Sequence, residues 1–340
     1  YGGLGRSTDG GNSFLDATSG LDLIYTNWMT PFVMDKNNPL TLYCGTYRIH
    51  KTTNGMQSWT PISPDLANGH IVNLGTITTV DVSKSNPNVI YCGTDDANVW
   101  VTTNAGTNWT KIINGLPNRW VTRVSVHPDS ANVCYVTLSG YKIDSKGAHI
   151  FRTSDFGNSW IPINGNLPDA PINDVIIDPL DYNSLYIATD DGVFFTTNLG
   201  SSWGILADGI PAAVPCHDLT LHAATRKLVV WTHGRSAYKL TLPNPPVPVE
   251  LSSFTAEEIS NGVKLNWFTS SELNNNGFII ERRYFGSEFI EIGFVKGKGT
   301  STEIIEYSFI DKNSLPGNYS YRLKQVDYNG SYEYSQIIHI

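Results

Sequence analysis

The 340-residue chain is 40% hydrophobic and 16% charged, with a formal net charge of −8. It can bury a sizeable core and has no basic excess for a nucleic-acid partner. No apolar run approaches the roughly 18 residues of a membrane-crossing helix, and helical periodicity is absent.

In chain order, the first feature is STDGGNSF from Ser7. The same eight-residue pattern returns as TTNGMQSW from Thr52, TTNAGTNW from Thr102, TSDFGNSW from Thr153 and TTNLGSSW from Thr196. Its third positions, Asp9, Asn54, Asn104, Asp155 and Asn198, are spaced by 45, 50, 51 and 43 residues. A short Asp or Asn side chain there accepts hydrogen bonds from the turn's own N–H groups. Gly10, Gly106, Gly157 and Gly200 permit backbone conformations that other residues avoid. The closing rings, Phe14, Trp59, Trp109, Trp160 and Trp203, are expected to pack between neighbouring units. Met56 stands where a glycine is expected, which predicts a distorted second turn.

Between the copies lie segments such as TVDVSKSNPNVIYCGT and DVIIDPLDYNSLYIAT. Each reads as a strand, a polar turn and an aliphatic–Tyr–X–Gly/Ala–Thr strand. Cys44 and Cys92 sit at one place in this pattern and read as small core residues, and the four cysteines show no metal-ligand spacing. About four short strands per 40–50 residues predict the blades of a β-propeller over residues 1–242. The last unit, from His217, supplies three strands and no eight-residue pattern. Its fourth strand is expected from elsewhere in the chain, closing the ring. Four complete units and two partial ends make roughly five blades, so further blades are expected upstream or in a partner chain.

PNPPVPVE, from Pro243, marks a stiff linker over residues 243–248. Residues 249–340 carry about seven strand-like runs, which predict a β-sandwich. Trp267 is placed in its core, and Tyr319 or Tyr321 at a tyrosine corner.

The eight-residue pattern resembles the Asp box, or BNR repeat, of sialidases, sortilin-type receptors, xyloglucanases and a photosystem II assembly factor. The resemblance implies four-stranded blades, with these turns opposite the usual ligand face and structural in role. The segments LNWFTSSELNNNGFIIERR and YRLKQVDYNGSYEYS resemble the fibronectin type III-like domain of type IX-secreted proteins of Bacteroidetes and Ignavibacteria. That resemblance implies an extracellular or outer-membrane surface location.

Candidate chemistry is sparse. Asp95–Asp96 and Asp190–Asp191 follow second strands and fall at turns on the ligand face. They read as solvated hairpins, with calcium binding as the alternative. Trp28, Trp120 and Tyr141, with Arg119 beside Trp120, are placed in loops of that face, where rings suit sugars or peptides. Asp129-Ser130-Ala131 matches a D-S/T-A O-glycosylation sequon, and Ser130 is expected to be exposed. No Ser/His/Asp arrangement, HExxH or phosphate-binding loop is present, and the arginines form no recognisable triad. The expectation is an all-β, secreted, non-catalytic binding or assembly protein without a cofactor, meeting an extracellular polysaccharide, a surface protein or its own copies. The alternatives are a glycoside hydrolase with paired carboxylates and a structural component of a surface layer.

Overall fold

The computed structural model describes residues 3–67, 75–140, 147–206, 214–242, 251–301, 303–312, 317–327 and 332–340, with the backbone alone at 273, 274 and 300. The chain forms two compact units, Tyr1–Leu242 and Pro243–Ile340.

The first unit opens with a two-stranded ribbon, Gly5–Arg6 with Leu15–Asp16. Four antiparallel four-stranded sheets follow, each a meander in chain order. The first joins Phe32–Asp35, Asn38–Gly45, Ile49–Thr52 and Thr60–Pro61. The second joins Ile77–Val82, Ile90–Thr94, Val99–Thr102 and Thr110–Lys111. The third joins Val121–Val126, Cys134–Leu138, Ile150–Thr153 and Ile161–Pro162. The fourth joins Ile172–Ile177, Leu185–Thr189, Gly192–Thr196 and Gly204–Ile205. A three-stranded sheet, Cys216–His222, Lys227–Thr232 and Ala237–Thr241, ends the unit. No fourth strand joins it among the described residues, contrary to the expected closure. Among the described residues, the two strands of the opening ribbon pair with each other alone.

Burial explains the arrangement. Second strands such as Ile90–Thr94, Cys134–Leu138 and Leu185–Thr189 are buried at every position, whereas the two-residue fourth strands of the first three sheets are exposed. A strand apolar on both sides needs a neighbouring sheet on each face. Accordingly, each hydrophobic core lies between two successive sheets: Tyr91 and Val101 with Val124 and Val136, then Tyr135 and Ile150 with Val175 and Ile187, then Ala188 and Val193 with Leu219 and Val230. First strands of successive sheets lie side by side. The result is a propeller-like stack with inner first strands and a wet outer rim.

The first eight-residue motif is the turn of the opening ribbon and the other four are the turns between strands three and four, and the bonding repeats in all five copies. The first-position hydroxyl accepts the N–H of Gly11, Met56, Gly106, Gly157 or Gly200. The third-position oxygen accepts the N–H of Ser13, Ser58, Asn108, Ser159 or Ser202. Hydrogen bonds from Ser13 and Ser159 hold the Asp9 and Asp155 carboxyls down to about 2. Positions four and five have positive φ throughout, even where they are Met56, Ala105, Phe156 and Leu199. The Met56 turn is therefore not distorted: Met56 takes φ 69° and packs on the Leu42–Cys44–Trp59 cluster instead.

The closing indoles tie sheet to sheet. Trp59 Nε1 donates to the carbonyl of Ala17, Trp109 to Ile62, Trp160 to Ile112 and Trp203 to Ile163, at 2.8–3.0 Å. Each acceptor directly follows the fourth strand of the preceding strand pair or sheet. Phe14 departs from the expectation: it has no indole N–H and is 68% exposed. Gly106, Gly157 and Gly200 sit close on the same neighbours, Ile62, Ile112 and Ile163, and a Cβ on Gly200 would lie 2.4 Å from the Ile163 carbonyl.

The second unit has two antiparallel sheets. One joins Leu251–Ile259, Gly262–Thr269 and Ile305–Asp311. The other joins Ile290–Ser301, Glu272–Tyr284, Tyr319–Asp327 and Tyr332–Tyr334, with Ile338–His339 also pairing on Tyr319–Asp327. Alternate residues of both, among them Phe254, Leu265, Trp267, Phe278, Ile280 and Leu323, make one core. Trp267 is fully buried there. Tyr321 donates its hydroxyl to the Asp311 carboxylate at 2.9 Å, and Arg282 pairs with the same oxygen at 2.6 Å.

Candidate functional site

The turns between second and third strands and the connections between sheets share one end of the first unit. The inner strands that reach this end follow one pattern: ITTVDV, VTRVSV, INDVII and CHDLTL. In each, the register slips between the first and third residues. Such bulges twist a strand and re-aim a side chain. The second residue bridges to the next sheet: Thr78 donates to the Val121 carbonyl, Thr122 to Ile172 and Asn173 to Cys216.

The third residues are Thr79, Arg123, Asp174 and Asp218. Thr79 accepts the N–H of Val124 and Asp174 that of Leu219, each on the next sheet. Arg123 cannot accept, and instead spans two carboxylates. Its Nε lies 2.6 Å from Asp174 Oδ1, and its Nη2 bonds Asp218 Oδ1. The Asp174 side chain is 4% exposed and that of Asp218 47%. Burial, then the nearby Asp174 charge, raise the Asp218 carboxyl to about 6, against the pull of Arg123. The folded chain thus holds this proton more tightly than the unfolded chain. Stability is full below the ordinary carboxylate range near pH 4 and is drawn down as pH rises through about 6. Carboxyl NMR is expected to show Asp218 titrating near 6 and moving down when Asp174→Asn removes the neighbouring charge. An unmoved midpoint would refute the coupling.

Trp28 is 78% exposed and Trp120 47%. The loop of Trp28 is pinned through Asn27, whose amide reaches Thr76 Oγ1 at 2.9 Å and Asp95 Oδ2 at 3.4 Å. Asp95 itself accepts from the Thr76 N–H and hydroxyl at 2.7 and 2.6 Å. Asp96 accepts from Thr94 and from the Asn98 amide. Asp190 accepts from Asn173, and the Asp191 N–H donates to Thr189. Asp95, Asp96 and Asp190 thus use carboxylate oxygens to build turns and brace the connections, and the described residues hold no cluster that could ligate a metal ion. Arg119 does not face solvent: it is 7% exposed, with Nη1 3.3 Å from both ring nitrogens of His149, which bonds Asp169 at 2.9 Å. It anchors the base of the Trp120 loop. Tyr141 lies outside the described residues. Ser130 is half-buried rather than exposed, because its neighbours are held: Ala131 accepts from Tyr91 and Asp129 from Tyr182.

Sequence reasoning missed Trp231, which is 51% exposed and directly opposite Asp218 across the strand pair. It also missed the Arg123–Asp174–Asp218 cluster. All four cysteines are buried thiols. Burial pushes Cys44 up to about 12 and Cys216 to about 11, so none is a ready nucleophile.

No protein-family model matches the chain, and no curated protein matches it. Solved structures of similar fold do exist. A GH74 enzyme of Niastella koreensis aligns at 18% identity over 98% of this chain and 55% of its own, with a TM-score of 0.54. The GH74 xyloglucanase of Xanthomonas campestris aligns at 12% identity over 74% of this chain and 46% of its own, with a TM-score of 0.52. An ancestral GH74 enzyme aligns at 15% identity over 89% and 45%, with a TM-score of 0.50. The chain thus spans about half the length of the structures it resembles. At such identities the likeness is one of fold: nearly all-β and propeller-like.

Proposed function

We propose that the chain belongs to a secreted or cell-surface protein of Asp-box propeller type, with a fibronectin type III-like second unit, and that its loop end binds a polysaccharide without cleaving it. One observation carries the reading. Trp28, Trp120 and Trp231 are exposed at one end of their sheets, while Asn27 and Arg119 beneath the first two are fixed by hydrogen bonds and close packing. Rigid exposed rings offer flat faces for the C–H surfaces of sugars at little entropic cost. Asp95, Asp96 and Asp190 at that end are engaged as turn braces, which favours binding over acid–base chemistry. The secretion-linked motifs of the second unit support an extracellular setting.

Affinity electrophoresis through xyloglucan and other soluble glucans tests this. Trp28→Ala and Trp120→Ala should each weaken retardation about tenfold, equivalent to roughly 1.4 kcal/mol. Unchanged retardation by both variants would reject the reading.

A second reading, a glycoside hydrolase, is favoured by Asp174 and Asp218. Asp174 is buried against Arg123, and Asp218 has its carboxyl raised to about 6, a value suited to a general acid. The fold likeness to GH74 enzymes supports it. Reducing-end release from xyloglucan, abolished by Asp218→Asn, would establish it over the binding reading.

A further inference from the structure

The second unit carries a surface of different chemistry. On the outward face of its larger sheet, cations and rings alternate in one stack. Arg283 lies 4.8 Å from the Phe289 ring centre. Arg322 lies 4.1 Å from the same ring and 3.9 Å from Tyr334. Lys324 lies 4.0 Å from Tyr332 and 6.0 Å from Tyr334. The strand register builds the stack. Lys324 pairs with Tyr334 and Val326 with Tyr332, while Arg322 pairs with Glu281. The alternate residues Phe278, Ile280, Tyr321 and Leu323 face the core, so period two sends Glu281, Arg322 and Lys324 outward.

The stack holds three cations; beside it lie Glu281, which takes Arg322 Nε at 2.6 Å, and Glu291, its cross-strand partner on Ile290–Ser301. It is a cationic strip on a chain of net charge −8. Tyr332 and Tyr334 are 57% and 41% exposed. Long cationic side chains laid on rings have already given up much rotamer freedom, so less is lost on binding. A guanidinium held flat keeps edge N–H groups for a carboxylate.

We propose that this face binds an acidic polysaccharide, a chain of sugars bearing carboxylates. The cations meet the carboxylates, and the exposed Tyr332 and Tyr334 rings meet the apolar faces of the sugars. The sparse charge of such a polymer fits a three-cation strip. A dense polyanion such as duplex DNA would be repelled by the acidic remainder of the chain. The site lies in the second unit and shares no residue with the loop end of the first, so the two readings stand or fall separately.

The probe is polygalacturonate against the full chain, followed by calorimetry at low and moderate salt. Binding is expected, weakening as salt screens the charges. Lys324→Gln and Tyr334→Ser should each weaken it about tenfold with unchanged melting, and Trp28→Ala and Trp120→Ala should leave it unaltered. If Lys324→Gln lowers the melting temperature, Arg283→Gln serves in its place. Absence of binding, equal binding of fully methyl-esterified pectin, equal or tighter binding of duplex DNA, or wild-type affinity in the variants would overturn the proposal.

Discussion

Replacing Asp178 by alanine is expected to lower the unfolding free energy of the first unit by about 3–5 kcal/mol, the usual cost of stranding one member of a buried ion pair. Asp178 directly follows the inner strand of the fourth sheet, and Arg226 sits in the tight turn between the first two strands of the last. Arg226 Nη1 and Nη2 donate to Asp178 Oδ1 and Oδ2 at 2.7 Å each. The side chains are 6% and 1% exposed. The carboxylate also takes the Leu180 N–H at 3.0 Å and the Tyr186 hydroxyl at 3.2 Å. Arg226 cannot shed its proton and is left charged in a dry setting when Asp178 is removed. The double variant Asp178→Ala/Arg226→Met removes both charges and should recover much of the loss. Urea titration of both variants decides it. A single variant costing under about 1 kcal/mol, or a double variant worse than the single, would refute the argument.

Trp203→Ala is expected to cost a similar amount, about 3–5 kcal/mol, because it empties the wedge between the third and fourth sheets. The indole is 5% exposed and packs with Ile163 and Leu167. Its backbone is bracketed by Asn166, which accepts from the Trp203 N–H at 2.7 Å and donates to its carbonyl at 3.0 Å. Trp203→Phe keeps most of the volume but leaves the Ile163 carbonyl without its indole donor, so about 1–3 kcal/mol is expected. The order Ala worse than Phe worse than wild type should appear in denaturant midpoints. If Phe is as damaging as Ala, the hydrogen bond rather than the packing governs this joint.

Much of this architecture was legible because it is periodic. The five motif turns, the second-strand runs and the Trp wedges recur at spacings that local chemistry alone can mark. What escaped was long-range. Arg123, Asp174 and Asp218 come from three different sheets, and within its own strand each looks like an ordinary polar residue. Only alignment of the four inner strands at the bulge brings them into one column. Arg119 was misplaced for a related reason. It follows Pro117 and Asn118, so it reads as a loop tip, but His149, just before the strand Ile150–Thr153, closes over it. Met56 shows the reverse: packing stabilises a left-handed backbone that local preference disfavours. Phe14 matched the motif but lacks the N–H that anchors the other closing rings.

Because every core in the first unit is shared by two adjacent sheets and no others, disturbance has a short reach. A lesion in one wedge loosens two layers and leaves the remainder to be held by their own joints, as in a row of clasped hands. Among the described residues, the opening ribbon and the last sheet each share a core on one side, so a lesion there disturbs a single joint.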